Sequence, residues 1–117
     1  ILNISSIYGA VTPKFEIYEG SKIVNFFDYS SSKAALIYLT QWLAKNLAPK
    51  IRVNCLSPGG IQRNQSKKFI KNYSSKTLMK RMGDEDDMIG PMMFLISNSS
   101  KYITGQNLLV DGGFSIK

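Results

Sequence analysis

With no histidine anywhere in its 117 residues, this chain leaves proton transfer to carboxylates, lysines and tyrosines. One pairing suits that work. In Tyr29-Ser30-Ser31-Ser32-Lys33 a helical register sets the first and last side chains on one face, at i,i+4. A free phenol titrates near ~10, too high for a base at neutral pH. A lysine ammonium beside it favours the phenolate and lowers that value toward the working range. A hydroxyl donor holding the substrate oxygen would complete the site, and Ser5-Ser6 follow an opening strand, at the end where parallel sheets carry ligands. The same spacing recurs at Tyr18-Glu19-Gly20-Ser21-Lys22. Gly20 disfavours a helix there, whereas Tyr29-Lys33 runs straight into a helical pattern from Ala34 to Ala48, so helix context selects Tyr29.

The elements that must position these residues alternate. Short β-type runs occur at Ile1–Ile4, at Ile51–Leu56 before Ser57-Pro58-Gly59-Gly60, and at Asn107–Val110 before Asp111-Gly112-Gly113. Helical patterns lie between them, from about Asp28 to Ala48 and from about Asp84 to Asn98. Strand, helix, strand, helix, strand predicts an α/β unit with right-handed parallel crossovers. On the first helix Ala35, Leu39, Trp42 and Leu43 form the expected buried face, and Pro49 ends it. The acidic run Asp84-Glu85-Asp86-Asp87 suits the positive end of the second helix, whose expected core stripe is Met88, Met92, Leu95 and Ile96. Residues 61–83 read as one or two short helices or a loop, and residues 10–27 as a long irregular segment. Long loops in such units are often functional.

Composition bounds the rest. Hydrophobic residues make up 44% and charged ones 20%, which fits one globular domain at most and excludes disorder, collagen and coiled coil. The single cysteine, Cys55, cannot form an internal disulfide, and without histidine both zinc sites and His-based triads are excluded. No apolar run approaches the ~18 residues of a membrane helix, and no leader resembles a signal peptide. The expectation is a cytoplasmic protein with no membrane association. Position 1 is Ile rather than Met, which reads as part of something longer.

Five stretches in order, Asn3-Ile4-Ser5-Ser6-Ile7-Tyr8-Gly9, Tyr29 to Ala35, Arg52 to Gly59, Ile103 to Gln106 and Val110 to Gly113, resemble the C-terminal half of a classical short-chain dehydrogenase/reductase. The Ile-Tyr-Gly after the serines, the segment Pro13 to Gly20 and Ser57 to Ile61 look most like the oxidoreductases of flagellin and surface-glycan modification. The resemblance implies the C-terminal part of a Rossmann-type, doubly wound parallel sheet. It also implies an NAD- or NADP-dependent hydride transfer on an alcohol or ketone. Ser6 would orient the substrate, Tyr29 would be the general acid/base, and Lys33 would support Tyr29 and hold the nicotinamide ribose. Pro58, Gly59 and Ile61 would lie against the nicotinamide, the main chain of Ile61 meeting the carboxamide, while Ser5 would be structural. The pattern departs in two places. Arg63 stands where the family usually has a threonine, and Tyr29 follows Ser6 by 23 residues, longer than usual, so that spacing alone would favour Tyr18. These residues hold no Gly-rich pyrophosphate turn, which leaves a catalytic half without its cofactor half.

On this reading residues 1–117 are one partial domain, with an insertion at 10–27 and a substrate lid at 62–83. The resemblance implies a homodimer or homotetramer in the full-length protein, with Leu36, Tyr38, Leu39 and Leu43 of the first helix burying either against a partner chain or in the core alone, and a small-molecule sugar substrate is expected. The alternatives are a non-catalytic fragment and a basic nucleic-acid-binding module. Against the latter, no known nucleic-acid motif occurs. The net charge of +7 has one location: from Arg63 to Arg81 there are seven bases and no acid, and the remaining residues balance. Either that segment is a solvated basic face, or its lysines attract an anionic substrate such as a nucleotide-linked or phosphorylated sugar.

Overall fold

The structure, a computed structural model, describes all 117 residues. Strands β1 (Leu2–Ile4), β2 (Asn54–Pro58) and β3 (Asn107–Val110) form one parallel sheet in the order β1-β2-β3. Leu2 lies opposite Asn54, and Leu56 opposite Leu108. Helix α1 (Phe27–Leu47) crosses from β1 to β2, while α2 (Lys67–Ser75) and α3 (Asp86–Ile96) lie between β2 and β3. This is the predicted α/β order with one helix resolved from the uncertain 61–83 stretch. The middle strand is the driest part: residues 53–57 are at most 1% exposed.

The expected second strand, Ile51–Leu56, is shifted to Asn54–Pro58. Ile51 is still tied to α1 through its N–H to Leu47 O (3.0 Å), and the Val53 N–H goes to Thr104 Oγ1 (3.0 Å) rather than to a neighbouring strand. Pro58 is admitted at the far end for a reason of register. Asn54 N–H donates toward β1 (Ile1 O), whereas Cys55 and Gly59 donate toward β3 (Gln106 O and Val110 O). The missing Pro58 N–H would therefore point past the end of β1, where no acceptor strand remains.

Helix α1 also turns a different face to the sheet. Thr40 and Ala44 are the buried residues, and Asn3 Nδ2 donates to Thr40 Oγ1 at 2.9 Å. Ala35, Leu39 and Trp42 face outward, Trp42 at 55% exposure, and Leu43 is half-buried. The physical reason is size: the slim Thr40 and Ala44 let the helix lie close on the sheet, so the bulkier adjoining stripe is left outside. Of the stripe expected on α3 only Leu95 is buried. Strands of three to five residues are too small a platform to cover the whole flank of an eleven-residue helix. The acidic run behaves as its dipole argument requires, with Asp86 and Asp87 in the first turn.

A second core sits beyond the C-terminal ends of the strands. Ile7, Ile17, Phe69, Tyr73, Met82 and Phe114 pack together there. Ile17 comes from a 3-10 turn, Phe15–Tyr18, inside the 10–27 segment. Phe69 and Tyr73 are the i,i+4 pair on the inner face of α2, whose start is capped by Ser66 Oγ accepting the Phe69 N–H (3.2 Å). The chain measures 48 × 27 × 24 Å with a radius of gyration of 15.2 Å. A compact domain of this length would have about 13.4 Å, so the shape is elongated, with the second core extending the body of the sheet.

Candidate active site

The site begins where β1 stops. Ser5 is buried and its Oγ donates to the Lys33 carbonyl (2.8 Å), tying the strand end to the first turns of α1. Ser6 caps the 3-10 turn Ile7–Gly9, its Oγ accepting the Tyr8 N–H at 3.2 Å. Gly9 packs on α1 so closely that a Cβ there would lie 2.6 Å from Lys33 C and 2.7 Å from Lys33 O. Only glycine permits that approach, which fixes the distance between Ser6 and the Tyr29-Lys33 turn.

Tyr29 stands in the first turn of α1, partly exposed. The Lys33 Nζ donates to Ile4 O (3.2 Å) and lies 5.7 Å from the centroid of the Tyr29 ring. The ammonium is thus held between the strand end and the phenol. Ser6 and Tyr29 line one cleft of about 780 Å³ together with Gly59, Gly60 and Ile61. Lys33 and Pro58 do not line it; Lys33 touches the site through Tyr29, and Pro58 closes β2 just before the wall begins.

That wall is strongly held. Gly59 N–H donates to Val110 O (2.9 Å), Gly60 N–H to the Tyr73 hydroxyl (2.5 Å), and Ile61 bridges Gly83. A Cβ on Gly60 would stand 2.7 Å from the Tyr73 ring, so the glycine is required by the tyrosine. Burial pushes the Tyr73 phenol up to about 12, against the pull of the Gly60 N–H, and it stays a neutral hydroxyl. The Ile61 N–H has no partner within the chain, while its carbonyl accepts Gln65 Nε2 (2.9 Å). Arg63, at the departure from the usual threonine, pairs with Glu85 at 2.8 Å.

Tyr18 is not an alternative helical pair with Lys22. The 3-10 turn ends at Tyr18, Gly20 has φ +69°, and the Tyr18 hydroxyl donates to Tyr8 Oη (2.9 Å) while accepting from Asn25 Nδ2 (3.2 Å). Tyr8, Tyr18 and Asn25 nonetheless line the same cleft. Burial and the bond to Tyr18 hold the Tyr8 phenol well above the ordinary range.

Of the seven bases between Arg63 and Arg81, three are paired: Arg63 with Glu85, Lys76 with Glu16 (3.0 Å) and Arg81 with Asp87 (2.5 Å). Lys67, Lys68 and Lys71 stand on the outer face of α2, and no lysine or arginine lines the cleft, whose one charged residue is Asp28. Sequence reasoning passed over Tyr8, Asn25, Gln65 and Tyr73. The signal for Tyr73 was present, since Phe69 and Tyr73 share one face of a short helix. For Asn25 there was none, because an irregular segment has no period to read.

A family profile described as Enoyl-(Acyl carrier protein) reductase matches residues 1–115. The post-translational flagellin modification protein A of Campylobacter coli is 44% identical over 117 residues, covering 99% of this chain and 46% of that protein. The Rhizobium meliloti protein named "Probable galactose dehydrogenase GalD" is 36% identical over 123 residues, 89% of this chain and 48% of that one. The crystal structure of a short chain dehydrogenase from Leptospira borgpetersenii with bound NAD+ superposes with a TM-score of 0.92 at 50% identity, over 99% of this chain and 44% of that one. The chain therefore spans less than half the length of these relatives. No helix is long and apolar enough to cross a membrane. The profile match over nearly every residue, and the identities of 44% and 50% over 99% of the chain, make this chain a member of the short-chain dehydrogenase/reductase family.

Proposed function

We propose that this chain is the catalytic half of a cytoplasmic, NAD- or NADP-dependent oxidoreductase that interconverts a secondary alcohol and a ketone on a sugar. The observation that carries the reading is the joint placement of Ser6 and Tyr29 on one cleft, with the Lys33 ammonium 5.7 Å from the Tyr29 ring. Tyr29 gives or takes the hydroxyl proton at its Oη, Ser6 Oγ holds the substrate oxygen, and Lys33 places positive charge beside the phenol as it changes protonation. Bound nicotinamide supplies the two-electron redox chemistry. The residues present fit its nicotinamide end: the unpartnered Ile61 N–H and the close-packed Gly59-Gly60 turn form a wall on which a carboxamide can sit. Gln65 Nε2 takes one lone pair of the Ile61 carbonyl, and the second is left for a carboxamide N–H.

The relatives named for flagellin modification and galactose dehydrogenation support a sugar substrate. A phosphorylated or nucleotide-linked sugar is favoured by Lys67, Lys68 and Lys71, which act from outside the cleft by long-range attraction. A flank of α1 bearing Phe27, Tyr38 and Trp42, each more than half exposed, supports a homo-oligomer. The test is Tyr29→Phe in the full-length protein, with Tyr18→Phe beside it. Turnover of every alcohol should fall by at least about 10³-fold in the Tyr29 variant, with binding of NADH or NADPH retained. Full activity in Tyr29→Phe would sink the assignment.

A further inference from the structure

The Tyr8, Tyr18 and Asn25 chain has a direction. Asn25 Nδ2 donates to Tyr18 Oη at 3.2 Å, and Tyr18 donates in turn to Tyr8 Oη at 2.9 Å. Each hydroxyl carries one proton, so a Tyr18 proton spent on Tyr8 leaves the Tyr8 proton as the free end of the chain. No acceptor within the protein takes it, and Asn25 Oδ1 at the other end receives no donor. Both ends belong to residues that line the cleft shared with Ser6 and Tyr29. Tyr8 and Tyr29 both line that cleft, so a substrate held by Tyr29 meets the Tyr8 side as well. The rings themselves are fixed: Tyr8 packs edge-on to Phe114 (6.4 Å between centroids) and Tyr18 against Phe69 (5.6 Å).

We infer that Tyr8, Tyr18 and Asn25 form a polar wall of the cleft that selects hydroxyl-rich substrates, Tyr8 donating to one substrate oxygen and Asn25 Oδ1 accepting from a second hydroxyl. This rests on the oxidoreductase reading and adds the specificity determinant, two of whose three residues come from the 10–27 segment. The remainder of the cleft explains why such a wall is needed. Ile7, Ile23, Val24, Phe26, Phe69 and Met82 make most of its lining apolar, and an apolar pocket alone discriminates poorly between an alcohol and a polyol. A donor and an acceptor that stay unpaired when a hydroxyl-poor ring binds penalise that ring, because buried polar groups left without partners are costly. The three-link chain also polarises its terminal O–H, which strengthens the bond it gives.

The test uses the full-length protein and the ratio of kcat/KM for hydroxyl-rich probes (D-galactose, glucose 6-phosphate, UDP-glucose) to that for cyclohexanol. Tyr8→Phe keeps the ring that packs on Phe114 and removes only the donor, and Asn25→Leu removes the acceptor. Each should lower the ratio about tenfold. Tyr18→Phe, which deletes the middle link, should lower it about threefold. An unchanged Kd for the nicotinamide cofactor would show that the fold and the cofactor wall persist. A ratio within about twofold of the parent in both Tyr8→Phe and Asn25→Leu overturns the wall while leaving the oxidoreductase reading intact. A parent protein that turns over none of the four probes with either cofactor overturns both.

Discussion

Removing one oxygen atom from Tyr73 should loosen the wall that the cofactor is proposed to meet. Tyr73 is 3% exposed and its hydroxyl accepts the Gly60 N–H at 2.5 Å. In Tyr73→Phe the ring keeps its stack on Phe114, at 4.7 Å between centroids, so little packing is lost. What changes is that the Gly60 N–H loses the acceptor that holds it, at the point where Tyr73 packs within 2.7 Å of the Gly60 Cβ position. An orphaned donor of this kind costs about 1–3 kcal/mol, and about 1.5–2 kcal/mol is expected here. At an m-value of about 2 kcal/mol per molar urea, the unfolding midpoint should fall by about 0.8–1 M. Because burial holds this phenol up to about 12, it is a neutral acceptor across the working range, and the deficit should be flat from about pH 6 to about pH 9. The KM for the nicotinamide cofactor should rise several-fold, since Gly60 leads directly into Ile61. Urea titrations followed by fluorescence at three pH values read the first effect and steady-state kinetics the second. A midpoint within about 0.2 M of the parent would refute the reasoning, as would a deficit that disappears across that pH range.

Two further outcomes follow from the charges. Reversing Lys67, Lys68 and Lys71 to Glu should raise KM for UDP-glucose about fivefold at ~20 mM salt and under about twofold at ~0.5 M, because these lysines act at a distance that salt screens; a KM for D-galactose that rose equally would show that a damaged cleft, not steering, is responsible. Burial pushes the Asp111 carboxyl up, but N–H donors from Ser115 (2.8 Å) and Gly113 (2.9 Å) outweigh it and hold the group below the usual carboxylate value. Its stabilising contribution is therefore complete above about pH 4 and is lost as pH falls through the lower, folded value. Thermal melts of Asp111→Asn and the parent should differ at neutral pH and converge as pH falls below the usual carboxylate range, and a constant gap would contradict the assignment.

The order of strands and helices was legible because turn chemistry punctuates it: Ser57 to Gly60 and Asp111 to Gly113 mark the two strand exits that build the site. Strand limits were less so. Pro58 looks like a stop, and only the alternation of donors toward β1 and β3 shows that its missing N–H falls where nothing needs it. The face of α1 was misread since a stripe of large residues, Leu39, Trp42 and Leu43, outweighs Thr40 and Ala44 in any hydrophobic pattern, while close packing on a sheet favours the small ones. That Tyr29 and Lys33 share a helix at i,i+4 was readable from the pattern that follows them, and the structure supplies what the sequence could not: the Gly9 contact that sets their distance from Ser6. The basic segment was readable as charge alone. Which bases are paired depends in part on Glu16 and Glu85, both distant in sequence from their partners Lys76 and Arg63.

The second core decides how the cleft behaves as a unit. Its members come from the turn after β1 (Ile7), the 10–27 segment (Ile17), α2 (Phe69, Tyr73), the stretch before α3 (Met82) and the C-terminal turn (Phe114). Phe114 is fully buried and contacts both Tyr8 and Tyr73, so the ring that carries the free hydroxyl and the ring that anchors Gly60 rest on one side chain. Lys14 adds to this by donating from the 10–27 segment to the Phe114 carbonyl (2.9 Å) and lying over its ring at 4.7 Å. A loop-built wall and a short helix such as α2 would ordinarily move independently. Sharing Phe114 couples them, so a change in that residue reaches the proposed substrate wall and the proposed cofactor wall together, whereas changes at Tyr8 or Tyr73 reach one each. The 10–27 segment is in this sense part of the site's scaffold: it contributes polar groups to the cleft and also the apolar Ile17 that packs against Phe69 and Tyr73 of α2.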